Sequence, residues 1–466
     1  MVAVAVAMGG VPAAAAPWRV GGNAALHPRR AALEAAPPAP YTNYTQTQYW
    51  FNGQRLDHFN LTDGTTWAQR YWLVTDFWAS PTSPVILYLC GEYTCPGVMA
   101  SRLFPLELAY EHGALVVVVE HRFYGASQPF PALNTSVLPY LNSRQALADL
   151  AWFTGFLQGQ INANASRPAD ATNQWLVVGG SYPGAMSAWY RIKYPHLTVG
   201  SLASSGVVNA FVEYPQFDQQ VAASAGPDCA NALRNVTARI GLAMPGIKAA
   251  FGAANLSDGD FWFFVADAGA EGIQYAAKAE LCGAVTPVWL AGGDPLPAYV
   301  NYTVAYWEAV MGNSAADYDS NVLADPVAGG DGRAWWWQVC TEFGWWQVAP
   351  AVGSIRSAAV NNTWYAGFCA KLFGVTTLPD VAGTNNNYGG GHPAGYNIFF
   401  SQGVQDPWRW AGVQETLNPV EQAQVVDCDT CAHCVDLYTP TPDDAPTLVS
   451  ERALVKDLVA SWFAGH

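Results

Sequence analysis

Four apolar residues, Trp175-Leu-Val-Val178, run straight into Gly179-Gly180-Ser181-Tyr182-Pro183-Gly184, and beyond them Met186, Trp189, Tyr190 and Ile192 recur at helical spacing. A buried strand that must become a helix within one turn leaves the backbone few options. Glycines permit the strained conformation, and the residue at the apex is pushed out above the end of the strand. Here that residue is Ser181, the arrangement of a nucleophile elbow. The usual spacing is Gly-x-Ser-x-Gly, whereas this chain carries Pro183 at the second position and its glycine one place late. Proline costs little there, because the first helical turn has unpaired N–H groups. The backbone N–H of Tyr182, which an oxyanion hole requires, is retained. A glycine-flanked serine is also an ordinary turn, so the neighbouring elements have to decide.

Those elements alternate. Gln69 to Val74 alternates like an edge or hairpin strand. Val85 to Leu89, a helix over Leu103 to Glu111 and Ala114 to Val119 form a strand-helix-strand unit of a parallel sheet. A helix over Ser143 to Gln158 precedes the elbow strand, and Gly200 to Ser205 follows the elbow helix. Ser181 therefore falls at the carboxyl end of a strand in a doubly wound sheet, where such folds place their sites. From about 207 to 390 the rhythm changes to Ala-rich helical segments (Gln219 to Ala225, Cys229 to Gly241, Gly272 to Leu281, Val304 to Met311) and a tryptophan cluster. Strands resume at Asn397 to Ser401 and Gln422 to Val426, and a helix over Ser450 to Phe463 closes the chain. The expected fold is an α/β-hydrolase with an inserted, mainly helical cap. Residues 1–45 form a signal or propeptide-like lead-in, 46–206 and 391–466 the two parts of the hydrolase domain, and 207–390 the cap.

The net charge of −15 argues against nucleic acid or an anionic membrane as partner. No stretch after the N-terminus reaches eighteen uninterrupted apolar residues, so no membrane span is expected. Met1 to Ala16 is apolar and ends in small residues but lacks a positive flank, which reads as a degenerate signal peptide. Eight Asn-x-Ser/Thr sites, at Asn43, Asn60, Asn134, Asn164, Asn235, Asn255, Asn301 and Asn361, and nine cysteines point to the secretory route, lysosomal, vacuolar or extracellular.

A hydrolase of this fold orders its triad as serine, acid, histidine, the last two on loops after late strands. Of the eight histidines, His27, His58, His112, His121, His196 and His392 precede the last strands and His466 ends the chain, which leaves His433. The loop after Ser401 carries one carboxylate, Asp406. Ser181 would attack, His433 would take and return the proton, and Asp406 would fix the imidazole. Taken singly, Asp406 is an Asp-Pro turn and His433 a surface or metal-bound histidine; order and context together favour the triad.

The chain also resembles a family of serine peptidases that includes lysosomal Pro-X carboxypeptidase, lysosomal dipeptidyl peptidases and a thymus-specific serine protease. The similar stretches are Gln54 to Asn60, Gln69 to Tyr71, Cys90 to Glu92, Glu120 to Ser127, Tyr140 to Leu150, the elbow through His196, Cys340 to Gly344, Asp406 to Trp408 and Ala432 to Leu437. The resemblance implies hydrolysis of a prolyl bond near a peptide terminus, with peptides as partners and no cofactor; a homodimer is compatible with it. It implies that the loop of Glu92 supplies the second oxyanion donor, and that Glu92 also places a substrate terminus. Trp408 and Trp345 would shape an apolar pocket for the proline ring. Four departures stand out. Pro183 replaces the family's glycine, Cys90-Gly91-Glu92-Tyr93 its glycine-bounded loop, Cys434 a second histidine and Gln402 an asparagine.

Cys340 and Cys369 resemble a family disulfide; Cys229 with Cys282 would staple the cap, and Cys90 with Cys95 would form a local bridge. Cys428, Cys431 and Cys434 flank His433 and have two readings, a disulfide or a zinc cluster in which His433 could not act as base. Fold alone does not fix chemistry, so an esterase and a non-catalytic binding protein stand beside the exopeptidase.

Overall fold

The computed structural model describes residues 39–465. The signal-like segment Met1 to Ala16, most of the lead-in and His466 lie outside the described residues. Eight strands form one mixed sheet: β1 (Gln46–Arg55), β2 (Thr66–Val74), β3 (Val85–Leu89), β4 (Leu115–Val119), β5 (Trp175–Gly180), β6 (Gly200–Ser204), β9 (Ile398–Gly403) and β10 (Glu421–Val426). Their spatial order is β1-β2-β4-β3-β5-β6-β9-β10. The six strands from β4 to β10 run parallel, and the β1/β2 hairpin is joined to them at one edge through an antiparallel β2/β4 pairing. This is the α/β-hydrolase architecture.

Strand periodicity divides the core. In β3, β4 and β5 the residues Val85, Leu87, Leu89, Val117 and Val177 face the helices Ser143–Asn164 and Tyr182–Lys193. Their alternates Ile86, Tyr88, Val116, Leu176 and Val178 face Phe104–His112 and Pro446–Ala464. Side chains alternate across a strand, so a sheet covered on both faces reads as a continuous apolar run. All five residues of β3 and of β4 are buried.

β3 leads to β4 on one side and β5 leads to β6 on the other, which makes the gap between β3 and β5 the switch point of the sheet. Glu92 follows β3 and Ser181 follows β5. Both therefore stand at the crevice where the chain reverses its winding.

Between β6 and β9 the chain is largely helical, with helices Pro215–Ala225, Pro227–Ala250, Asp258–Gln274, Lys278–Leu290, Gly330–Gln338 and Asn362–Phe373. A short parallel pair, β7 (Phe211–Glu213) and β8 (Gly344–Trp346), ties distant parts of this region together. The expected single helix over Gly272 to Leu281 is two helices. The first ends at Gln274 and Ala276 takes the left-handed conformation, φ 61°. An Ala-rich sequence hides this break, because nothing local demands it. The reason is tertiary: the carbonyl of Gln274, freed at the helix end, accepts the backbone N–H of His433 (2.9 Å).

Disulfides join Cys90 to Cys95, Cys229 to Cys282, Cys340 to Cys369 and Cys428 to Cys431. Cys434 is a buried free thiol. Cys428 and Cys431 thus bond each other rather than offering two thiolates, and no cluster of metal-ligating side chains occurs among the described residues.

Candidate active site

Ser181 occupies φ 68°, ψ −128°, immediately between β5 and the helix Tyr182–Lys193. A non-glycine residue is strained there, and its cost of roughly 1–3 kcal/mol has to be carried by the packing around it. The neighbouring glycines make that packing possible. A Cβ on Gly179 would lie 2.1 Å from the Pro183 carbonyl oxygen, so only glycine lets the helix start this close to its strand. The late Gly184 acts similarly toward the next strand, since its Cβ would lie 2.5 Å from the carbonyl oxygen of Ser204 in β6.

Tyr182 opens the helix, so its N–H has no intrahelical acceptor. Its ring is held by a buried relay. The Tyr124 hydroxyl donates to Gln338 Oε1 (2.7 Å), and Gln338 Nε2 donates to the Tyr182 hydroxyl (2.9 Å). His121 Nδ1 donates to the Arg122 carbonyl (2.7 Å), which leaves Nε2 to accept from Tyr182 (3.0 Å). Burial holds His121 down to about 4, so it stays neutral and keeps that tautomer.

The two late loops meet each other. His433 Nδ1 donates to Asp406 Oδ2 (2.8 Å), with the side chains of both almost fully buried. Asp406 is also the Asp-Pro turn: its Oδ1 caps Pro407–Ala411 by accepting the Trp408 N–H (2.9 Å). One carboxylate therefore serves both readings. His433 Nε2 is buried and has no hydrogen-bond partner among the described residues. The Ser181 and His433 loops are in contact through their neighbours, since a Cβ on Gly180 would lie 2.8 Å from Cys434 Sγ.

Ser181, Tyr182, Glu92, Trp345 and Trp408 line one cavity of about 810 Å3, open mouth included, together with Trp335 and Val207. Trp408 Nε1 donates to Gln274 Oε1 (2.9 Å), and Trp345 Nε1 to the Asn209 carbonyl (2.8 Å). Their polar edges are thus satisfied and apolar surface remains for the cavity. Glu92 is 6% exposed with Oε2 unpartnered, and burial pushes its carboxyl up to about 7. The cavity also contains Asp267, Glu271 and Phe263 from the helix Asp258–Gln274. Sequence reasoning passed over these three. The available signal was an acidic pair four residues apart within an otherwise apolar helical stretch, where carboxylates are costly.

The family profile described as serine carboxypeptidase S28 matches residues 54–256 and 297–455. The chain belongs to the serine carboxypeptidase S28 family. A probable serine protease EDA2 of Arabidopsis thaliana is 37% identical over 89% of this S28 chain and 85% of its own. Thymus-specific serine protease of Mus musculus is 31% identical over 89% and 87%, and lysosomal Pro-X carboxypeptidase of Bos taurus 27% over 88% and 87%. Among solved structures, a proline iminopeptidase of Mycobacterium smegmatis aligns with 85% of this chain and 96% of its own at 12% identity, with a TM-score of 0.35. This S28 member is a serine peptidase. Its disulfides suit an oxidising compartment such as the secretory pathway, and no described helix is long and apolar enough to cross a membrane.

Proposed function

We propose that this S28 peptidase is an exopeptidase that hydrolyses prolyl bonds near a peptide terminus through Ser181, His433 and Asp406. The observation that carries the reading is the His433–Asp406 hydrogen bond. It fixes the tautomer that leaves Nε2 as the proton acceptor, on a loop in contact with the strained elbow of Ser181. Ser181 Oγ attacks the scissile carbonyl as His433 Nε2 removes its proton. The same proton passes to the leaving amine, and water then releases the acyl group by the reverse sequence. The Tyr182 N–H faces the developing oxyanion, with the loop after β3 as second donor. Trp408, Trp345 and Trp335 offer flat apolar walls suited to a proline ring.

A fluorophosphonate probe tests this directly. Wild-type protein is expected to be labelled at Ser181, and His433→Ala to lose labelling while staying folded; unlabelled wild-type protein would refute the reading. For the compartment, a fold stabilised by acid favours the lysosome or vacuole, whereas a His433 held protonated favours an extracellular role at higher pH. The pH-rate profile decides between them.

A further inference from the structure

The cavity at Ser181 carries three carboxyl side chains, Glu92, Asp267 and Glu271, and among the described residues no lysine, arginine or histidine lines it. Asp267 and Glu271 lie four residues apart on the helix Asp258–Gln274 and so share one face. Each is held from one side by neutral donors. The Tyr318 hydroxyl donates to Asp267 Oδ2 (2.6 Å), and Trp307 Nε1 and Asn313 Nδ2 donate to Glu271 Oε2 (2.9 and 3.4 Å). These bonds aim the two carboxyls, and an ammonium bound between them would favour their charged forms. Burial pushes both upward, and Asp267 pushes Glu271 further. The cation that acts on Asp267 is Arg356, which lies outside the cavity lining and faces Asp218 (3.5 Å) and Gln347 Oε1 (3.2 Å). Independently, Glu92 presents an unpartnered, buried Oε2 to the same cavity.

The aromatic walls agree. Phe263, Trp335, Trp336 and Tyr365 line the cavity beside the acidic pair, and ring faces attract ammonium groups. A substrate's free carboxylate would meet three carboxyl groups here and find no basic side chain in the lining.

We propose that Asp267 and Glu271 form an ammonium subsite of the Ser181 cavity, so that the peptide is held by a free amino group and cleaved from its amino end. This rests on the reading of Ser181 as nucleophile. The group recognised is a primary ammonium, supplied by the peptide's N-terminus; a lysine side chain is the other source of the same chemistry.

The test compares coumarin-linked substrates of two and three residues with proline before the scissile bond, amino end free or acetylated, and one acetylated substrate carrying lysine. N-terminally acetylated peptides ending in Pro-X with a free carboxyl complete the set. In wild-type protein, acetylation is expected to lower kcat/KM about 100-fold, mainly through KM. In Asp267→Asn and Glu271→Gln the free substrate falls by a similar factor and the penalty for acetylation largely disappears. Recovery with the lysine substrate would assign the subsite to a side-chain ammonium and overturn the N-terminal assignment. Equal cleavage of free and acetylated substrates by wild-type protein, faster cleavage of the acetylated Pro-X peptides, or a preference unchanged in both variants, would overturn the proposal. Fluorophosphonate labelling of the variants at the wild-type rate shows that they are folded. If wild-type protein is not labelled, the nucleophile reading fails, and calorimetry with Ala-Pro and acetyl-Ala-Pro still reads the subsite: equal affinity overturns it.

Discussion

Gly91 and Pro183 are fitted to each other: a Cβ on Gly91 would lie 2.3 Å from Pro183 Cγ and 2.6 Å from its Cδ. The loop after β3 and the first turn of the elbow helix, both expected to face the oxyanion, thus pack ring against backbone. The two departures from the family pattern, in the loop and at the elbow, meet in one contact.

Gly91→Ala is therefore expected to push the loop and the elbow apart. A clash of this size costs about 1–3 kcal/mol in a packed interior, and displaced oxyanion donors lower kcat by about 100-fold. Adding Pro183→Gly should restore most of the loss, because it removes the atoms that the new methyl meets. Steady-state assays on the two single mutants and the double mutant measure this coupling; strictly additive losses would refute the fit.

The second expectation concerns the acid limb of the pH-rate profile. Burial pushes the His433 imidazole down, but Asp406 and Cys434 outweigh it and hold the group up at about 10. A base must be neutral, so activity rises with pH toward that value and falls as the imidazole charges. Cys434→Ser keeps a donor near the Ser204 carbonyl and removes the ionisable sulfur. It should move the acid limb to lower pH, measured as kcat/KM against pH. An unmoved limb would exclude Cys434 from tuning the base.

Stability should run the opposite way from activity. Burial raises Glu92 and Glu342 to about 7, above the usual carboxylate value of an unfolded chain near 4.5. Between those pH values the folded state binds more protons than the unfolded one, so stability falls as pH rises through the window. For Glu92 the full effect is roughly 3 kcal/mol. His433 adds to the same trend: its raised value gives stability that is complete below about 6.5 and lost as pH climbs through about 10. His121, held down to about 4, opposes the trend below about 6.5, but the two carboxyls and His433 outweigh it, so the Tm at pH 5 is expected to exceed that at pH 8 and Glu92→Gln to flatten the slope. A Tm that rises over this range would contradict the burial of these groups.

Glycan mapping offers a check on surface placement. Asn43, Asn60, Asn134, Asn164, Asn255, Asn301 and Asn361 are exposed, whereas Asn235 is half-buried with its Oδ1 fully covered. Mass spectrometry of the protein purified from a eukaryotic host should find glycan at several of the seven and none at Asn235. Occupied Asn235 would require the helix Pro227–Ala250 to turn its buried side outward.

The sequence by itself determined the elements whose periodicity is local and strong. The β3, β4 and β5 runs and the strand-to-helix turn at Ser181 were readable, because buried strands and tight turns restrict which residues can occupy them. The pairing Cys340–Cys369 was legible from resemblance, Cys229–Cys282 as a staple of the cap, and Cys428–Cys431 was one of several options. Tertiary structure alone decided what depends on contact between distant segments. It broke the helix at Ala276 so that Gln274 could receive His433, and it turned Gly91 toward Pro183. It also brought Asp267 and Glu271 into the cavity of Ser181. No local rule signals these, since a carboxylate on a helix is ordinary until a neighbouring surface closes over it and its charge has lost the water that balanced it.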